Sequence, residues 1–214
     1  MSSSTTIDPA TEKTRRAYDR VSWFYDIQEG ILDRLAAGKW RAALWGMVPE
    51  DSKVLEVGVG TGRNFKYYRP GLDVTGIDIS PKMMARAERK AASEDLPVAL
   101  RLMDAQSLEF PDSSFDVAIS TFVYCSVPDP VLGLEEARLV IRPGGQLLLL
   151  EHVLPRWQPA RWLMQRMNGI ARTLSGANIA RDTVANVEKS GWKIEEVRPL
   201  GADIFKIIVA RRAD

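Results

Sequence analysis

The chain reads as an α/β protein built on a doubly wound, mostly parallel seven-stranded sheet, with helices ahead of the first strand and a helical lid before the last two. Three observations lead there. Short apolar runs alternate with amphipathic helical stretches between Lys53 and Glu151. Glycines stand at alternate positions, Gly58, Gly60 and Gly62, directly after the first of those runs. Residues able to hold a ligand, namely Gly58 to Gly62, Asp78, Asp104, Thr121 and His152, all fall at run ends, which is where open α/β sheets bind ligands.

Each element has its own signal. Residues 1–9 are small and polar and are expected to form a disordered tip, leaving 10–214 as one domain. Helical spacing predicts a helix over 10–26, with Ala17, Val21 and Phe24 on one face, and a second over 31–47 carrying Leu35, Trp40, Leu44 and Trp45. Together, 10–48 form an N-terminal helical cap that either covers the cleft or packs on the outer face of the sheet. The core, 53–152, opens with the run Val54, Leu55, Val57, and a helix is expected to begin at Asn64–Tyr68. Val74–Ile77 is the second strand, and Ser80-Pro81 caps a helix to about Glu94. Strands follow at 98–103 and 117–121, then a helix from Asp129-Pro130 to Val140, a tight turn at 142–145 and a leucine-rich strand at 146–151. Lid helices are expected within 153–190, the last stopped by Gly191, and closing strands at 192–199 and 203–211 within 191–214.

Composition excludes several classes. Lys and Arg number 29 against 28 Asp and Glu, so no polyanion footprint is present and no nucleic-acid partner is expected. A single cysteine, Cys125, rules out an internal disulfide and a cysteine metal cluster, and no metal site is expected. No run is long enough to span a bilayer and no secretory leader is read at the start, so a cytoplasmic protein is expected.

The central stretch narrows the ligand. Glycine after a buried strand lets a ligand lie against bare backbone, and Asp78, at the end of the next run, stands where a ribose hydroxyl pair is bound in such units. A dinucleotide fingerprint would need glycine at 63, where Arg63 stands, and no phosphate-loop motif occurs. The pattern is instead E-x-G-x-G-x-G from Glu56. It resembles the first motif of class I S-adenosylmethionine-dependent methyltransferases. With D-A at 104–105, F-D at 115–116 and R-P-G-G at 142–145, the chain is similar to the small-molecule branch of ubiquinone and menaquinone biosynthesis. Y-D-R-x-x-x-x-Y-D (18–26), V-L-E-V-G-V-G-T-G (54–62) and V-T-G-I-D (74–78) resemble bacterial phospholipid N-methyltransferases. N-F-K-Y-Y (64–68), C-S-V (125–127) and E-H-V (151–153) resemble membrane-associated thiol methyltransferases.

That resemblance implies a Rossmann-like methyltransferase fold and S-adenosyl-L-methionine as cofactor, with S-adenosyl-L-homocysteine as product. Glu56 would face the cofactor's ammonium, Asp78 its ribose, Asp104 and Ala105 the adenine, and Thr121 and Phe122 the methionine end. Gly58, Gly60, Gly62, Ile79, Met83 and Tyr18 complete the expected cofactor set. For the acceptor, His152, the sole histidine, is the candidate base. Tyr25 is a candidate to hydrogen-bond the acceptor or stack on the sulfonium. Phospholipid amine N-methylation leads, with thiol S-methylation or a quinone-type acceptor behind it and a non-catalytic binding module as the alternative of another class. The expected partner is a small-molecule or lipid acceptor, and the protein a monomer or dimer. From Val153 onward eleven basic residues face six acidic ones, and 159–175 is amphipathic. We read that helix as a lid, while its basic face and tryptophans also suit a membrane interface.

Overall fold

The structure, a computed structural model, describes residues 8–32, 37–153, 181–201 and 203–213 with the isolated positions 158, 162 and 166; for 21–32 it describes the backbone alone. The expected lid helix 159–175 lies outside the described residues apart from Trp162 and Arg166, and so does the side chain of Tyr25.

The described elements are α1 (Pro9–Leu32), α2 (Gly38–Trp45), β1 (Lys53–Val57), β2 (Asp73–Asp78), α3 (Pro81–Ser93), β3 (Val98–Leu102), β4 (Phe115–Thr121), α4 (Pro130–Val140), β5 (Ile141–His152), α5 (Thr183–Lys189), β6 (Trp192–Leu200) and β7 (Phe205–Arg212). Seven strands form one sheet in the order β3-β2-β1-β4-β5-β7-β6. The pairs from β3 to β5 are parallel, and β7 runs antiparallel to both neighbours. Winding reverses between β1 and β4, which puts the switch point at the carboxyl ends of those two strands.

Four consecutive leucines show why the sheet is buried on both faces. Leu147 and Leu149 join a core with Leu134 and Val140 of α4, Val187 of α5 and Trp192. Leu148 and Leu150 join the opposite core with Leu44 and Trp45 of α2. Side chains alternate along a strand, so an uninterrupted apolar run is stable only between two layers. A third cluster holds α3, through Met84, Ala87 and Ala91, against Val59 and Phe65.

Three expectations shift. Asp8 and Pro9 do not belong to a disordered tip: the Asp8 carboxylate accepts the N–H groups of Ala10 and Thr11 and caps α1, which runs to Leu32, past Gly30. The helix expected from Asn64 is a single 3-10 turn, Phe65–Tyr67, followed by extended Tyr68; Pro70 clashes with a continuing helix and stops it there. The turn at 142–145 is absorbed into β5 as an irregularity, pairing stepping from Phe115–Ile141 to Val117–Gln146. The strands and the helices α3 and α4 fall where the alternation and the two Asp/Ser-Pro caps place them.

Candidate active site

The glycine stretch turns back under β2. Gly58, Gly60 and Gly62 have φ of 74°, 57° and 79°, yet the three have different surroundings. A Cβ at Gly58 would lie 2.2 Å from Val123 Cγ2, and one at Gly62 would lie 2.4 Å from the Phe65 ring. A Cβ at Gly60 would meet nothing within 4 Å. Gly58 and Gly62 are therefore small because the protein fills the space, and Gly60 because the cleft must stay open.

Asp78 fixes this turn. Its carboxylate accepts the N–H of Gly60 at 2.9 Å through Oδ2 and that of Ser80 at 2.8 Å through Oδ1. Burial pushes Asp78 up to about 6 while these main-chain donors pull the other way. A cleft opens above it at the carboxyl ends of the strands. Tyr18, Gly58, Gly60, Asp78, Ile79, Met83, Asp104, Ala105, Thr121 and Phe122, all candidate positions, line it. The fold thus brings ten candidates together at one place.

Three described candidates stand elsewhere. Gly62 lies behind the turn. Glu56 is fully buried, its oxygens taken by the Asn64 amide and the Tyr68 hydroxyl. Burial lifts it to about 7 against those two hydrogen bonds and the nearby Arg41 charge. His152 ends β5 and packs edge-on against Phe205, with ring centroids 5.2 Å apart; Phe205 in turn packs against Phe122, 5.8 Å away. His152 is therefore one aromatic ring removed from the cleft. The remaining candidate, Tyr25, has its side chain outside the described residues.

Several residues of the site carried no motif. Arg41 of α2, 3% exposed, donates to Asn64 Oδ1 at 3.0 Å and Thr121 Oγ1 at 2.5 Å, and its guanidinium lies 5.0 Å from the centre of the Phe122 ring. It brings positive charge beneath the end of β4. Thr11 and Thr14 of α1 line the cleft. Gln106 donates to Thr11 Oγ1 at 2.8 Å, Thr14 to the Ser126 carbonyl at 3.5 Å, and Ser80 Oγ to Asp19 Oδ1 at 2.6 Å. The two N-terminal helices accordingly divide the work: α1 walls the cleft, while α2 packs on the sheet through Leu44 and Trp45. Helical periodicity could show that each had an apolar face, but not which layer that face would meet. Among the described residues no group of acidic, histidine or cysteine side chains is arranged to hold a metal, and no helix is long and apolar enough to cross a membrane.

A bare glycine turn, a carboxylate at the end of the neighbouring strand and a cleft at the switch point define a doubly wound α/β protein that takes a nucleoside cofactor. Comparison with known proteins gives the family. A methyltransferase-domain family model matches residues 55–149. The chain is 30% identical over 178 residues to the demethylmenaquinone methyltransferase of Renibacterium salmoninarum, covering 79% of this chain and 73% of that protein. It is 44% identical over 102 residues to the phosphatidylethanolamine N-methyltransferase of Cereibacter sphaeroides, 47% of this chain and 50% of that one. Against a thiol S-methyltransferase of Rattus norvegicus it is 33% identical over 144 residues, 65% of this chain and 58% of that one. The solved structure of the cyclase SpnF matches with a TM-score of 0.77 at 19% identity, covering 96% of this chain and 97% of that one, a likeness of fold. The chain belongs to the S-adenosylmethionine-dependent methyltransferases. It spans half the length of the Cereibacter relative and less than two thirds of the rat one.

Proposed function

We propose that this chain transfers a methyl group from S-adenosylmethionine to a small amphiphilic acceptor, the amine of a phosphatidylethanolamine-type phospholipid being the lead. The observation that carries this is the open face of Gly60 beside the Asp78 carboxylate, with nothing within 4 Å of where a Cβ would stand. In this reading Asp78 takes the ribose hydroxyls, Asp104 and Ala105 face the adenine, and Ile79 and Met83 pack beside it. Gly58, Thr121 and Phe122 meet the methionine end, and Tyr18 closes the cleft from α1. Glu56 and Gly62 act from behind by shaping the turn. Arg41 supplies positive charge near the cofactor's carboxylate.

The bound cofactor supplies an already activated methyl group, so the protein's share is to align the nucleophile and keep water out; alignment is worth about 7–11 kcal/mol in such reactions. An amine acceptor has a reference pKa of about 10.4 and must lose a proton, whereas a thiol at about 8.5 is partly ionised already. We assign the proton to His152, at the carboxyl end of β5, which an acceptor reaches by entering along the Phe205 ring, with Tyr25 as the hydroxyl partner of the acceptor. The phospholipid lead is supported by the 44% identity to the Cereibacter N-methyltransferase.

The test pairs calorimetry with turnover. S-adenosylhomocysteine is expected to bind, and labelled methyl to pass to phosphatidylethanolamine vesicles in preference to an alkyl thiol or a demethylated quinone. Preference for the thiol or the quinone would replace the lead acceptor. Cofactor uptake without transfer to any of the three would favour a binding module, and no uptake at all would end the reading.

A further inference from the structure

The wall of the cleft that follows β4 is held in a way the methyl-transfer reading does not require. Phe122 has φ of 60°, a conformation bulky side chains rarely adopt. The chain turns there so that successive N–H groups point inward, and Val123 and Tyr124 both donate to Glu151 Oε1 at 3.0 Å. The Cys125 N–H pulls on the same carboxylate. Concave rows of main-chain N–H groups are anion sites, and here the anion is the protein's own: Glu151 is fully buried, one residue beyond Leu150, whose carbonyl accepts the Phe122 N–H at 2.8 Å. From the other side Arg181 donates to the carbonyls of Tyr124 at 3.1 Å and Val127 at 2.6 Å. The stretch so gripped contributes Phe122, Val123, Ser126, Val127 and Pro128 to the cleft.

We infer that Glu151 is a positioning residue of the cofactor cleft: its carboxylate, seated in a row of main-chain N–H groups, fixes the wall from Phe122 to Pro128, and Arg181 fixes the same wall by its carbonyls. The inference rests on the methyltransferase reading, so the wild-type affinity for S-adenosylhomocysteine is measured first, at about pH 8.5, above the value of about 7 to which burial raises Glu151, so that its carboxylate is ionised. Glu151→Ala is expected to raise Kd about tenfold, the scale of a lost charge-assisted hydrogen bond. Formate is expected to restore most of that affinity, because the emptied row of donors accepts a small carboxylate. Glu151→Gln keeps an acceptor oxygen without the charge and is expected to fall between the two. Arg181→Ala weakens binding, and Arg181→Lys recovers part of it.

A folded Glu151→Ala protein with wild-type affinity, or a loss on which formate has no effect, would overturn the inference. Should the alanine variant fail to fold, wild-type affinity in Glu151→Gln does the same. Wild-type protein that takes up no S-adenosylhomocysteine would instead sink the functional reading, and this inference with it.

Discussion

At the scale of single residues, the glycine turn separates folding from binding. Gly60→Ala puts a methyl group into open space, so the fold loses about 1–2 kcal/mol for a side chain in the left-handed region while the cofactor loses its seat. Gly58→Ala drives a methyl group into Val123 and Gly62→Ala drives one into Phe65, so both should destabilise the fold itself, by about 1–3 kcal/mol beyond the same conformational cost. Thermal melts and calorimetry on the three variants check this: Gly60→Ala should melt closest to wild type and bind S-adenosylhomocysteine worst. The alternate glycines and Asp78 were legible because a tight turn with positive φ and a carboxylate at the end of the next strand restrict residue type at fixed spacing. Arg41 and Glu151 were not legible, since a buried charge looks like any other until its partners, 80 residues away for Arg41 and Thr121, are folded against it.

At the scale of elements, the described side chains of α1 attach it to the cleft through hydrogen bonds. Asp19 takes the Ser80 hydroxyl and approaches the N–H of Lys82 at 3.4 Å, which ties α1 to the first turn of α3. Ser80 is also the N-cap of α3, accepting from Met83 N at 3.2 Å. Asp19→Ala should therefore free α1 without unwinding α3, and release of S-adenosylhomocysteine in stopped flow should quicken about threefold, the scale of one net hydrogen bond. Ser80→Ala should add a loss of about 1 kcal/mol in stability through the lost cap. Equal release rates in wild type and Asp19→Ala would show that α1 does not retain the ligand. Asp19 was legible only as part of the Y-D-R-x-x-x-x-Y-D pattern, which could not say that its carboxylate meets the first turn of α3.

At the scale of the whole molecule, three buried carboxylates set the pH dependence. Burial raises Glu56 to about 7 from 4.5, Glu151 to about 7 from 4.5, and Asp78 to about 6 from 3.8. Between their unfolded and folded values the native state holds more protons than the unfolded chain, so stability falls as pH rises through 5 to 7. On the surface Arg15 and Arg16 hold Glu12 down at about 2, and main-chain and arginine partners hold Asp116 and Glu195 low; those contributions are lost as pH falls below the ordinary carboxylate range. The melting temperature should therefore peak near pH 5 and drop by on the order of 5 °C by pH 8. A melting temperature that climbs steadily over that interval would contradict this. At this scale the alternation of strands and helices carried most of the architecture. The order of the last two strands was not legible, because both read simply as apolar strands.

That order bears on how the protein is made. Residues 205–212 leave the ribosome after the rest of the sheet, yet they lie between β5 and β6, and every described rung of β6 is formed with β7. A nascent chain halted before Phe205 holds Leu147 to Leu150 along an open border and a penultimate strand with no neighbour. Such borders recruit other chains. The sheet is thus completed by a wedge driven between two strands made before it, and the interval before it arrives is when this polypeptide most needs a chaperone.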